Sequence, residues 1–215
     1  MRKSFCSLIS FLLFSLLACG AASAHWYVAP TGNDANNGSK RKPLKTIAAA
    51  LQRVNPGDTV FLREGSYGEF VVPTRSGKPG KMITLKSYPG EIAKIDGSDL
   101  YIKGWGNALV PVSYTHLLQF ENLHICHAHD SENNTDPEGI YITGTSGNIT
   151  FRGCKVYDIK NDCPLVDAKG DWRSAHAILV LGTDDNTPIR NLLIEKCEIF
   201  EIHSGTSEAF TLAGN

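Results

Sequence analysis

From residue 117 onward the chain alternates apolar and polar positions with period two, and the same pattern returns three times. The segments "LQFENLHICHAHD" (118–130), "ITFRGCKVYDIKN" (149–161) and "LLIEKCEIFEIHS" (192–204) align without a gap. Apolar side chains fall in shared columns: Leu118, Ile149 and Leu192; Phe120, Phe151 and Ile194; Leu123, Cys154 and Cys197; Ile125, Val156 and Ile199; Ala128, Ile159 and Ile202. Within each copy the alternation slips by one residue between the second and third columns, as a strand must when it turns a corner. Asn122 and Gly153 sit at that slip and tolerate positive φ, whereas Lys196 in the third copy fits less well. A second set follows each first one, "EGIYITG" (138–144), "HAILVLG" (176–182) and "EAFTLAG" (208–214), with Ile140, Ile178 and Phe210, then Ile142, Val180 and Leu212, pointing inward.

Near-constant strand segments joined by loops of variable length describe a solenoid. One rung cannot pair both its edges or fill a core alone. Stacking rungs at about 4.8 Å supplies the missing hydrogen bonds and closes a continuous interior. The expected architecture is all-β, a parallel β-helix. An antiparallel sandwich is the competing arrangement, but it has no reason to repeat side-chain type at matched positions.

The N-terminal half fits the same plan. "KTIAAALQRV" (45–54) places Ile47, Leu51 and Val54 on one face and predicts a short amphipathic helix ended by Pro56-Gly57-Asp58. "TVFLREGSY" (59–67), "ITLKSY" (83–88) and "AKIDGS" (93–98) read as strands. A helix laid across the first rung would cover an edge that otherwise recruits another chain.

The composition, 42% hydrophobic and 20% charged over 215 residues, is that of a globular domain with one sizeable core. The long apolar run is at the N-terminus. Arg2 and Lys3 precede an apolar stretch from Phe5 to Ala18, and Ala22-Ser23-Ala24 supplies a small-residue cleavage site. The expected organisation is a signal peptide over 1–24 and a β-helix domain over 25–215, with a cap segment at 25–58 and rungs at 59–215. The run is too short and too rich in serine for a transmembrane anchor. Leu16-Leu17-Ala18-Cys19 allows a second reading, a lipoprotein anchored at Cys19. The chain is slightly acidic, with 21 basic and 22 acidic side chains, and outside Lys40-Arg41-Lys42 it carries no basic cluster of the kind nucleic acid requires.

The loops between first and second sets, 127–138, 160–176 and 203–208, leave the stack on one side and gather polar residues beside one groove. His127, His129, Asp130, Glu132, Asp136, Asp162, Asp167 and His203 belong there, with Lys169, Asp171, Trp172 and Arg173. Trp172 can stack on a pyranose and Arg173 can fork onto a carboxylate. Glu138, His176 and Glu208, each just before a second set, form one stacked column, read either as a mutually neutralising surface ladder or as part of a site. Asp184-Asp185 lies in "GTDDNTP" and reads as a turn rather than a catalytic pair. Cys154 and Cys197 read as a buried thiol column. Cys126 and Cys163 lie near the groove loops, where a disulfide or two free thiols are both open.

One segment resembles a known family. "YVAPTGNDANNGSKRKPLKTIAAALQRVNPGDTVFLREGSYGE" (27–69) is similar to the N-terminal cap of secreted bacterial right-handed parallel β-helix proteins of the pectate-lyase-like superfamily, in particular polysaccharide lyase family 9. The resemblance implies a right-handed, pectin-lyase-like solenoid acting as a monomer on acidic, uronate-containing polysaccharide. It also implies Ca²⁺ held by an Asp cluster and a Lys that takes the C5 proton. The family's first ligand segment has a counterpart at Glu208-Ala209-Phe210, where Glu stands for Asp and Ala for Gly, so Glu208 is the candidate metal ligand. The second segment would fall after Asn215, and the chain is therefore expected to be a fragment whose catalytic residues lie further on. A non-catalytic glycan-binding β-helix and a glycoside hydrolase on the same fold are the alternatives.

Overall fold

The computed structural model describes residues 22–102, 108–130, 136–162, 174–205 and 207–214. In chain order the elements are β1 (His25–Val28), α1 (Ile47–Leu51), β2 (Thr59–Leu62), β3 (Gly65–Tyr67), β4 (Ile83–Ser87), β5 (Ala93–Asp96), β6 (Ala108–Ser113), β7 (His116–Glu121), β8 (Leu123–Asp130), β9 (Glu138–Thr143), β10 (Gly147–Arg152), β11 (Lys155–Asn161), β12 (His176–Leu181), β13 (Arg190–Glu195), β14 (Glu198–His203) and β15 (Phe210–Ala213). They form three sheets ordered β1-β2-β4-β7-β10-β13, β3-β5-β8-β11-β14 and β6-β9-β12-β15, called here the first, second and third. Every pairing between these strands is parallel. The chain visits the sheets in turn, and the result is a right-handed parallel β-helix.

The columns read from the sequence are the register of the sheets. Leu118, Ile149 and Leu192 pair in line, as do Phe120, Phe151 and Ile194. The rings of Phe120 and Phe151 stack with centroids 4.5 Å apart and 5° between planes, so the core repeats at the spacing of the strands. Each segment such as 118–130 is two strands in two sheets rather than one strand. The corner residues Asn122, Gly153 and Lys196 have φ of 54°, 63° and 54°, so even Lys196 adopts the left-handed conformation. The rung-to-rung bonds from Asn122 N–H to the Arg152 carbonyl (2.9 Å) and from Gly153 N–H to the Glu195 carbonyl (3.0 Å) hold that corner. Two further left-handed columns, Leu117, Asn148 and Asn191 and then His127, Asp158 and Glu201, bend the first and second sheets and carry no uniform sequence signature.

At the N-terminal end, α1 packs Ile47, Ala50 and Leu51 onto the first rung. It is shorter than the 45–54 pattern suggests. The Arg53 N–H bonds three residues back, to the Ala50 carbonyl, tightening the last turn, and the Arg53 guanidinium reaches the Asp34 and Asn36 carbonyls. Similarly, 59–67 splits into β2 and β3 around a corner at Arg63 and Glu64. There the Arg63 guanidinium forks onto Glu91 (2.6–3.0 Å), whose carboxylate also accepts the Glu64 N–H. β1 and β6 lack clear alternation and were not legible as strands. Among the described residues, Cys126, Cys154 and Cys197 carry free thiols; Cys154 is buried as its column predicts, Cys197 on the next rung is only partly buried, and Cys163 lies outside them. No helix among the described residues is long and apolar enough to cross a membrane.

Candidate functional site

The third sheet sits where the chain arrives from the second, and a bulge at its entry decides which side chains face out. The N–H groups of Ala177 and Ile178 both donate to the Ala209 carbonyl, at 2.9 and 3.2 Å. Ala177 and Ile178 are therefore consecutive core residues, as are Leu109 and Val110 two strands away on β6. Gly139 holds the same place in β9. A Cβ there would come within 2.6 Å of Val156 Cγ1 and 2.7 Å of the Ala177 carbonyl, so only glycine fits between rungs. The bulge turns the register partners Ala108, Glu138 and His176 to the opposite, outer face. On that face Ala108, Tyr141 and Leu179 form a small apolar cluster separate from the main core.

Glu138 and His176 thus stand in the column expected from the sequence, and Glu208 extends it two residues before Phe210, the partner of Ile178. The environment of each differs from a plain charge ladder. Glu138 is fully buried, and among the described residues neither carboxylate oxygen has a hydrogen-bond partner. Burial, with a smaller contribution from the Asp136 charge, pushes its pKa up to about 8, so it is a neutral acid at pH 7. His176 lies 2.9 Å through Nδ1 from the Glu208 carbonyl and 3.3 Å from Thr211 Oγ1. A carbonyl only accepts, so Nδ1 carries the proton, and in the neutral ring Nε2 keeps its lone pair, 3.4 Å from Ser207 Oγ. The Glu208 carboxylate accepts from Ser207 and Thr211 hydroxyls at 3.4 Å each. Asp136 belongs to the polar set expected beside the groove, whereas Ser207 and Thr211 had no signal in the sequence.

The other candidates separate. Lys169, Asp171, Trp172 and Arg173 lie outside the described residues, as do Glu132 and Asp167. His127 and His129 are not in a groove loop, because the left-handed His127 (φ 60°) bulges β8 and lets it run on to Asp130. They sit on the second sheet near Asp96 and Asp158. His203 ends β14 beside Asp162, 3.1 Å away. Asp184 forms the expected turn, accepting from Asn186 N–H (2.8 Å) and Thr187 Oγ1 (2.7 Å).

Calcium is the ion the fold family suggests, and it takes six to eight oxygens. Among the described residues, Glu208 brings one carboxylate and two neighbouring hydroxyls, while Glu138 is a buried, protonated acid. This donor set does not fit calcium.

A sequence profile described as "Pel9A-like, right handed beta helix region" matches residues 26–198. The chain belongs to this family. It is 33% identical over 189 residues to the uncharacterised protein YwoF of Bacillus subtilis, an alignment that takes in 88% of this chain and 40% of YwoF. Pectate lyase PEL9 of Emericella nidulans is 33% identical over 90 residues, which is 41% of this chain and 22% of PEL9. The crystal structure of pectate lyase Pel9A superposes with a TM-score of 0.54 at 20% identity, covering 86% of this chain and 52% of Pel9A. The chain therefore spans well under two thirds of these relatives. It is a polysaccharide-lyase-related member of the Pel9A-like family.

Proposed function

We propose that this Pel9A-like chain acts as a lyase that cleaves acidic, uronate-containing polysaccharide by β-elimination, with the sugar chain lying across the head of the third sheet. The observation that carries the reading is the match of residues 26–198 to the Pel9A-like region, in which Glu138 and His176 stand together on the outer face of that sheet. In β-elimination a base removes the C5 proton, a double bond forms between C4 and C5, the C4–O bond breaks and the departing oxygen takes up a proton. His176 Nε2 has the free lone pair of a base.

In this reading Trp172 stacks on a sugar ring, Arg173 and Lys169 meet uronate carboxylates, and Asp171 and Glu208 orient their neighbours. No step is assigned to calcium. Residues 1–24 act as an export signal, since polysaccharides of this kind lie outside the cell, and no nucleic acid or second subunit is required.

The test is incubation of the 215-residue chain with polygalacturonate and other uronates, with and without added calcium, following the ultraviolet absorbance of unsaturated uronate ends. Product is expected from the wild type, with a loss of about 100-fold or more in His176→Ala, the scale of an acid–base contribution. Absence of unsaturated product in every condition overturns the lyase reading. Reducing ends without the chromophore would indicate hydrolysis, and sugar binding without either product a binding module.

A further inference from the structure

The outer face of the second sheet carries a cluster that the proposed groove does not use. Asp96 on β5 and Cys126 on β8 are register partners, and His127 follows in its left-handed bulge. One carboxylate oxygen, the Cys126 Sγ and one imidazole nitrogen all lie within 4.8 Å of one another. Asp96 Oδ1 is 2.8 Å from His127 Nδ1, and Ser98 Oγ is 2.5 Å from Asp96 Oδ1 and 3.2 Å from His127 Nδ1. Three different donor types and a hydroxyl thus converge on one point.

The other side of the imidazole is also built. His127 Nε2 faces Asp158 Oδ2 at 3.7 Å, and Asp158 is fixed by Lys160 Nζ at 2.5 Å and His129 Nε2 at 3.1 Å. A metal-bound histidine ordinarily donates its second ring N–H to a carboxylate of this kind. Cys126 is fully buried with a free thiol, so it is sheltered from bulk oxidants.

We propose that Asp96, Cys126 and His127 form a binding site for a divalent transition metal of zinc type, through carboxylate, thiolate and imidazole Nδ1. Ser98 or a water takes the fourth position, and Asp158 orients His127 through Nε2–H. Mixed sulfur, nitrogen and oxygen donors select zinc over calcium or magnesium, which take oxygen alone. Zinc binds such atoms at about 2.0–2.3 Å, so the cluster must draw in by roughly 1 Å to close on an ion. Despite its burial, hydrogen bonds from Ser98 and His127 hold the Asp96 carboxyl down at about 2, so it is ionised for binding. Burial pushes the Cys126 thiol up to about 11, and the metal must displace that proton. Binding therefore releases protons and tightens as pH rises. The ion would tie β5 to β8 across two rungs, on a different sheet from the groove.

The test is titration of the reduced 215-residue chain with Co²⁺, read by absorbance. A tetrahedral thiolate site gives a sulfur-to-cobalt charge-transfer band in the near ultraviolet and visible d–d bands, which added Zn²⁺ abolishes. The charge-transfer band is expected to vanish in Cys126→Ser, to persist in Cys154→Ser and Cys197→Ser, and to need about 10- to 100-fold more metal in Asp158→Asn. His127→Ala, on a half-buried bulge, serves as the second variant if Cys126→Ser fails to fold. No charge-transfer band in the wild type, or a band that survives in Cys126→Ser or His127→Ala, overturns the site.

Discussion

A carboxylate buried like that of Glu138, with no hydrogen-bond partner among the described residues, is stable only while it is protonated. Its pKa is raised from the ordinary 4.5 to about 8, so the folded chain binds a proton that the unfolded chain gives up. Its contribution is fully present below about pH 4.5 and is lost as pH climbs through 8. Glu138→Gln keeps the shape and removes the titration. The variant is expected to match the wild type near pH 5 and to exceed it by roughly 3–5 kcal/mol above pH 8 in denaturant unfolding. Parallel pH profiles for the two proteins would show that Glu138 does not titrate in this range. Its place in a column with His176 was legible, since both precede aligned repeats. Its burial was not, because that depends on the bulge at Gly139 and Ala177, which no local pattern announces.

At the scale of elements, the same limit separates what repeats from what bends. Leu118, Ile149 and Leu192 betray their column because burial demands the same chemistry each time. Leu117, His127 and Glu201 share a left-handed backbone with no shared chemistry, because the rungs on either side impose it. Asn148 and Asn191 are the exceptions, laddered by an Nδ2–Oδ1 bond of 3.0 Å. The helix was legible by its apolar face, but its cap comes from far along the chain. Thr46 accepts the Ala49 N–H, and Glu69 accepts the Ile47 and Ala48 N–H groups at 2.8 and 2.9 Å. Glu69→Ala is therefore expected to cost about 1–2 kcal/mol, the scale of a lost N-cap. Chemical denaturation measures it, and an unchanged midpoint would mean that water replaces the carboxylate at no cost.

Over the whole molecule, every strand is bonded mainly to the copy of itself one rung away, and the two ends of the described chain lie at opposite ends of the stack. The first rung is covered by α1. The last exposes Leu193, Phe200, Phe210 and Leu212 at 43%, 38%, 43% and 67%. Stability is therefore distributed along one axis, close to a sum of rung and interface contributions.

That axis has a mechanical consequence. Force applied to the two termini does not shear all three sheets at once but peels one rung from the next, so the bonds of each rung break before those of its neighbour are loaded. Residues 118–149 and 149–192 mark off successive rungs of 31 and 43 residues. At about 3.4 Å per extended residue, their release lengthens the chain by roughly 105 and 145 Å. Single-molecule stretching is expected to give a sawtooth of unequal steps near those lengths. One cooperative rupture of the entire stack would instead mean that the continuous Phe120–Phe151 column binds the rungs into a single mechanical unit.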